Sequence, residues 1–178
     1  MENGRYRNKT LIMNEKSTTP NENSVTLNEH HKEEYAPAHT TEHILNQAMI
    51  RHFGCGRSIE AHIERKKSKQ DFRIDREPSE EAIRGIEDEV NRVIGQHLPV
   101  TYSFLTQDEA RSRFDLQRLP ENASETVRVV QVGDYDACLC IGRHVANTDE
   151  IGRFRIVSHS YDTEKGVLRL RWKLEDSV

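Results

Sequence analysis

The sequence contains few hydrophobic residues and no long hydrophobic run. Hydrophobic residues make up 34% of the 178 residues. Even with the nine glycines, the share stays below the roughly 45–50% of typical globular domains. No segment approaches the ~20 apolar residues that a membrane-spanning helix needs, and the apolar run at residues 11–13 is too short for a secretory signal. We therefore expect neither a membrane protein nor a secreted one.

Cysteine and net charge are also scarce. Three cysteines (Cys55, Cys138 and Cys140) cannot build a disulfide framework, because any disulfide among them leaves one cysteine unpaired. A reducing cytoplasm is therefore the expected compartment. The net charge of -4 provides no general attraction to nucleic acid, so any such binding needs a local basic patch.

The polar residues concentrate at the N-terminus. Residues 1–36 are rich in Asn, Glu, Thr and Ser without helical or strand periodicity, which predicts a disordered or loosely ordered tail. A short strand within it, at residues 24–27, is the one local exception we consider. Residues 37–175 are expected to form one domain, since about 140 residues suffice for a single core.

Within that domain, helical and strand patterns alternate irregularly. Pro37 predicts the start of a first helix that Gly54 ends, and Ser79 caps a second helix whose apolar positions form one stripe. Two strand-like runs at 58–65 and 69–75 predict a hairpin. Further strands are expected at 100–105, 126–132, 154–158 and 167–174, with a short helix from 106 to about 114. We predict an α+β fold: a mixed or antiparallel sheet with helices packed on one face.

Two residue pairs have the chemistry and spacing of metal ligands. His39 and His43 lie four apart on the first helix, so both imidazoles share one face. Cys140 and His144 form a second pair with three residues between them. Thiolate and imidazole both suit Zn²⁺. The alternative is that the histidines are ordinary helix side chains and the cysteines are small core residues. Glu42 is an unfavourable candidate base because it points about 100° away from His43.

The paired motifs resemble the editing domain of alanyl-tRNA synthetase, which threonyl-tRNA synthetase carries in related form. H-x-x-x-H at residues 39–43 and C-x-x-x-H at 140–144 occur in the family's order. The segment HVANTDEIG at 144–152 is similar to the family's H-V-x-x-T-x-E-I-G stretch, and VRVVQVGD at 127–134 is similar to the strand before its cysteine. The resemblance covers roughly residues 38–174. It is strongest to the freestanding, AlaX-type trans-editing proteins.

The resemblance implies a function and a ligand set. The family hydrolyses the ester between a wrong amino acid, usually serine or glycine, and the 3′ end of alanine tRNA. Zn²⁺ is then expected on His39, His43, Cys140 and His144, where it could polarise the ester carbonyl or activate a bound water. No side chain is assigned as catalytic, and a zinc-bound water is the expected nucleophile. Four protein ligands would close a tetrahedral site, so a purely structural zinc stays open.

The basic residues favour one local surface. Residues 51–76 carry eight Lys and Arg against four acids, whereas residues 77–98 carry two against six. For tRNA contact we single out the cluster at the expected hairpin turn: Arg65, Lys66, Lys67 and Lys69. Strand residues Arg169, Arg171 and Lys173 either extend this basic face or form an ordinary solvated strand face. The expected partner is a mischarged tRNA, with no membrane and no separate protein partner.

Two departures keep other functions open. The family commonly has C-x-G-T-H, whereas Arg143 stands here in place of the threonine. No amino-acid-recognition residue is transferred from residues 58–75, which do not align position by position. The alternatives are a metal-dependent hydrolase of another small ester or amide on the same fold, and a non-enzymatic module with structural zinc that binds tRNA.

Overall fold

A computed structural model describes residues 34–115 and 125–176. They divide into two compact units: the larger holds residues 34–101, 131–137 and 142–176, and the smaller holds 102–115, 125–130 and 138–141. Most of the predicted N-terminal tail, including the considered strand at 24–27, lies outside the described residues, and only 34–36 of it are described. Within the described ranges no helix has the length and apolarity to cross a bilayer.

The secondary structure combines helices with two sheets, and the predicted α+β class is confirmed. In chain order the elements are α1 (Ala36–Phe53), β1 (Glu60–His62), β2 (Ser68–Arg73), α2 (Glu80–Ile94), β3 (Val100–Thr106), α3 (Gln107–Arg111), β4 (Thr126–Val132), β5 (Asp136–Leu139), β6 (Arg153–Asp162) and β7 (Val167–Glu175). The strands divide between a four-stranded sheet, ordered β1-β2-β7-β6, and a three-stranded sheet, ordered β3-β4-β5. The short helix α3 ends at Arg111, three residues earlier than predicted.

Two helices pack against each other in the larger unit. Helix α1 ends where Gly54 adopts a left-handed conformation (φ 63°), which costs glycine no steric penalty. Helix α2 begins where the Ser79 hydroxyl accepts a hydrogen bond from the Ala82 backbone N–H. The buried stripe of α2 is the predicted one: Ile83, Ile86, Val90, Val93 and Ile94. In α1, by contrast, the buried residues include several polar ones, among them the two predicted metal ligands His39 and His43.

The four-stranded sheet is antiparallel throughout and contributes the largest side chains of the core of the larger unit, including Trp172, Phe72 and Phe154. The predicted hairpin is β1 and β2, with Glu60 opposite Asp71. The alternation predicted for β7 is observed: Leu168, Leu170 and Trp172 are fully buried, whereas Leu174, near the strand end, is only half-buried. Phe154 of β6 packs its ring on that of Trp172 at 5.5 Å between centroids.

The smaller unit holds residues 102–106, 126–130 and 138–139 of the second sheet. Its helix α3 begins with the predicted capping box, in which Thr106 and Glu109 bond to each other's backbone N–H. Strand β5 is absent from the sequence-based expectations because it has only four residues and its first position, Asp136, is a charged residue. A turn with Gly133 at φ 51° connects β4 to β5.

Candidate metal centre

Three histidines converge in the larger unit. His39 and His43 lie one turn apart on α1, with ring centroids 5.3 Å apart, and both are buried. The loop before β6 brings the ring of His144 to 4.2 Å from the His39 centroid and 4.6 Å from that of His43. One ring nitrogen from each lies within 4.8 Å of the others. Three of the four predicted ligands are therefore neighbours; we call them the three-histidine cluster.

The ring of His39 is oriented by its Nδ1 atom. That nitrogen lies 3.0 Å from Oε2 of Glu34 and 3.2 Å from the carbonyl oxygen of Arg143. The same Glu34 oxygen accepts the Arg143 backbone N–H at 2.8 Å. Gly142 permits this close approach, because a Cβ there would overlap both the His39 ring and the Glu34 carboxylate. Nδ1 therefore acts as a donor, and Nε2 keeps its lone pair.

The ring of His144 is held in the same way. Its Nδ1 lies 3.2 Å from the hydroxyl oxygen of Thr40, one residue from His39 on α1. Because the Thr40 hydroxyl donates its proton to the carbonyl of Ala36, it accepts from His144, as it also does from the Val145 backbone N–H. Nε2 of His144 is consequently the basic nitrogen.

A buried carboxylate faces His43. Oδ2 of Asp136, at the start of β5, lies 3.7 Å from Nδ1 of His43, and Asp136 is only 5% exposed. Arg57 donates to both carboxylate oxygens, at 2.6 and 3.3 Å. Burial alone would raise the pKa of Asp136, but the contacts with His43 and Arg57 outweigh it and hold that pKa below its usual range. The carboxylate therefore stays ionised beside the imidazole.

Three acidic residues near the cluster were not among the sequence-based candidates. Glu34, Asp136 and Glu42 all contact its rings, and Oε2 of Glu42 lies 3.8 Å from Nε2 of His39. Glu42 was set aside because it points away from His43, yet its i, i+3 relation to His39 was an available signal. Asp136 had only a weak signal, its position four residues before Cys140. Together these carboxylates make the surroundings of the three imidazoles favourable for a cation.

The fourth predicted ligand, Cys140, follows β5 in the smaller unit. Its backbone pairs with Arg128 of β4: its N–H donates to the Arg128 carbonyl at 3.1 Å, and its carbonyl accepts from Arg128 Nε at 2.8 Å. Cys140 and Cys138 are both half-buried, and no disulfide joins them to each other or to Cys55. Metal coordination by Cys140 stays a prediction.

The predicted tRNA-binding residues lie at and beside the β1–β2 loop. Arg65, Lys66 and Lys67 are exposed in the loop, and Lys69 is half-buried on β2. Lys69 Nζ contacts Oε1 of Glu60 at 3.1 Å. The Arg65 guanidinium lies 5.0 Å from the centre of the Tyr35 ring, directly before α1. The loop therefore contacts the end of the helix that carries two histidines of the cluster, while RNA contact itself stays a prediction.

Two comparisons relate this chain to known proteins. Residues 127–171 match the family model described as threonyl and alanyl tRNA synthetase second additional domain. Over 123 residues the chain is 37% identical to the alanine–tRNA ligase of Fervidobacterium nodosum, an alignment covering 68% of this chain and 14% of the relative. The chain thus corresponds to about one seventh of that relative's length.

Proposed function

This chain belongs to the alanyl-tRNA synthetase editing-domain family, and on that basis we propose that it hydrolyses the ester bond of mischarged aminoacyl-tRNA. The proposed substrates are Ser-tRNA(Ala) and Gly-tRNA(Ala), charged by a separate enzyme, so that the reaction occurs in trans. The observation that carries the proposal is the three-histidine cluster, because each of its rings has Nδ1 directed at an oxygen acceptor.

We propose that the site holds Zn²⁺ through His39, His43, Cys140 and His144. Imidazole and thiolate are the donors that zinc prefers, and hydrogen bonds at Nδ1 are the usual means of orienting zinc-bound histidines. When bound, zinc would supply Lewis acidity at the ester carbonyl. Chain connectivity supports the cysteine: Cys140 is two residues from Gly142, so its Cα lies within about 7 Å of the glycine whose backbone packs on His39.

The side chains around the cluster hold the ligand rings in place. The Arg143 carbonyl and Thr40 accept the Nδ1 protons of His39 and His144, and the Asp136 carboxylate faces Nδ1 of His43 at 3.7 Å. These contacts favour one tautomer and one orientation of each imidazole. Such preorganisation lowers the reorganisation needed when substrate binds. A site that hydrogen-bonds the serine hydroxyl would spare alanine, because alanine leaves those polar groups unpaired.

Substrate binding would use basic side chains near the cluster. We propose that Arg65, Lys66, Lys67 and Lys69 contact tRNA phosphates, supported by the exposure of the loop residues and by the contact of Arg65 with Tyr35. A cytoplasmic location is part of the same proposal. It is supported by the three cysteines, none of which is in a disulfide.

Deacylation assays test the proposal directly. Ser-tRNA(Ala), Gly-tRNA(Ala) and Ala-tRNA(Ala) are charged separately and incubated with wild type, Cys140→Ala and the control Cys55→Ala, with zinc content measured for each. Cys55 is the matched control because its thiol donates to the nearby Met49 carbonyl, and Cys55 is not a predicted ligand. We expect hydrolysis of a mischarged species, sparing of Ala-tRNA(Ala), and loss of zinc and activity in Cys140→Ala alone. A zinc-loaded wild type that leaves all three esters intact would refute the proposal.

A second candidate is a structural zinc site on a module that binds tRNA without turnover. The donor set favours it, because three histidines and a cysteine complete a tetrahedral shell. It predicts tight zinc and tRNA affinity with no hydrolysis. A third outcome, cleavage of a simple seryl ester without any dependence on RNA, would identify a different hydrolase on the same fold.

A further inference from the structure

One face of the four-stranded sheet carries mainly charged and polar side chains. Its inner face packs Phe72, Leu168 and Trp172 into the core, and residues that alternate with these point to the other side. The register places Lys69 opposite Arg171, and Arg155 opposite Lys173, on this outer face. Their side chains therefore form adjacent pairs across neighbouring strands, about 5 Å apart.

The outer face is divided by charge along the strands. One half carries cations on three strands, and we call it the basic half: Lys69, Arg153, Arg155, Arg171 and Lys173. In the other half, Asp71 bonds Arg169 at 2.6 and 2.7 Å, and Asp162 and Glu164 lie at the end of β6 and in the following turn. That half therefore has no excess of positive charge, since its cations Arg73, Lys165 and Arg169 lie among the carboxylates Glu60, Asp71, Asp162 and Glu164.

The cations of the basic half are only partly neutralised. Glu175 is shared between Arg155 at 3.5 Å and Lys173 at 2.9 Å, and Lys69 contacts Glu60 at 3.1 Å. Among the residues that the structure describes, Arg153 and Arg171 have no carboxylate within ion-pair distance. Like charges directly opposite each other on a sheet are destabilising. Two such pairs on one face therefore indicate a surface whose charge serves a polyanionic partner.

The β1–β2 loop, with its basic residues, lies between the basic half and the three-histidine cluster. Ser68 pairs with Trp172, so the loop leaves β2 at the end of the sheet where Lys173 lies. The guanidinium of its Arg65 lies 5.0 Å from the centre of the ring of Tyr35, the residue directly before α1. His39 follows Tyr35 by four residues, which is about 6 Å along the helix axis. One basic path therefore connects the sheet face to the edge of the three-histidine cluster.

We propose that the basic half of the outer sheet face binds the phosphate backbone of the RNA whose terminal ester reaches the three-histidine cluster. This inference rests on the proposed function and adds the surface that holds the body of the substrate. Side chains on a sheet are more rigidly placed than those of a loop, so they would set the orientation of the RNA. The loop cations would then contact the phosphates nearest the ester.

The test compares two charge-matched variants of the full chain. Arg153→Gln/Arg171→Gln removes two cations from the basic half. Arg73→Gln/Arg84→Gln removes two from the opposite half of the face and from α2. The probe is a fluorescently labelled, uncharged tRNA(Ala) transcript, whose affinity is measured by anisotropy between 50 and 300 mM salt; deacylation of Ser-tRNA(Ala) is measured in parallel. Vesicles with about one third anionic lipid serve as an alternative polyanion.

We expect the basic-half variant to bind the transcript about tenfold more weakly at 100 mM salt than the control variant. The slope of log K against log salt should decrease by about 2, one for each lost phosphate contact. Equal affinity and slope in the two variants would overturn the inference, as would vesicle binding that depends on Arg153 and Arg171 while RNA binding does not. If no variant hydrolyses the ester but the slope still changes, the proposed function fails and the RNA surface stands.

Discussion

Replacing Asp136 with asparagine should weaken metal binding while preserving the fold. The substitution keeps the side-chain volume but removes the negative charge that faces Nδ1 of His43 at 3.7 Å. Loss of such a carboxylate behind a ligating histidine typically reduces metal affinity 10–100-fold, or about 1.4–2.8 kcal/mol. The shorter contact, 2.6 Å to Arg57, contributes mainly to the stability of the metal-free protein.

The assay is competition for Zn²⁺ with a chromophoric chelator at pH 7.5, alongside urea unfolding of the metal-free protein. Asp134→Asn is the matched control, since Asp134 is exposed in the preceding turn. Arg57→Gln separates the two roles: we expect it to lower stability while changing zinc affinity less than Asp136→Asn does. Zinc affinity of Asp136→Asn within twofold of wild type would refute the role of this carboxylate in orienting His43.

Three further predictions concern packing, pH and capping. Gly142→Ala should lower the unfolding free energy by about 1–3 kcal/mol and reduce zinc binding, because the added methyl overlaps a ring of the three-histidine cluster. Gly56→Ala is the control in thermal melting and zinc analysis, since a methyl there meets open space. The hydrogen bonds from Arg169 hold the pKa of Asp71 below its usual value of about 3.9. The ion pair therefore stabilises the fold above that pH, and this stabilisation is lost as the pH falls through the lower pKa of the folded state. In urea unfolding at pH 7 and pH 3, the unfolding free energy of Asp71→Asn should decrease less between the two pH values than that of wild type. Ser79→Ala should lower the unfolding free energy by about 1 kcal/mol, measured by urea unfolding, and an unchanged value would contradict the cap.

The elements that sequence reasoning anticipated are those with strong local signals. Helix α1 places His39 and His43 on one face because their separation matches the helical repeat. The capping box at Thr106 and the alternation of β7 likewise depend on residues at most a few positions apart. Each of these could be read without knowledge of the tertiary structure.

The missed features depend on long-range contacts. Asp136 reaches His43 across more than ninety residues of sequence, and Arg57 reaches Asp136 across 79. Strand β5 is too short for its alternation to be visible, and its buried first residue is charged, which contradicts the ordinary pattern of a strand. Nor could the sequence show that Arg169 is paired with Asp71 whereas Arg171 is not, because this follows only from the register of β2 against β7.

The polar interior of α1 connects the fold to its chemistry. Burying a polar group costs free energy unless it is hydrogen-bonded, and α1 buries His39, Thr40, Thr41, His43 and Asn46 on the face where an ordinary helix buries apolar residues. Each has a polar partner in the structure, and both histidines of α1 have an oxygen acceptor facing Nδ1. Together with His144, they bring one ring nitrogen each to within 4.8 Å of the others. Burying three imidazoles side by side costs free energy that apolar residues would not cost, and what the arrangement offers in exchange is a donor set that could hold one cation.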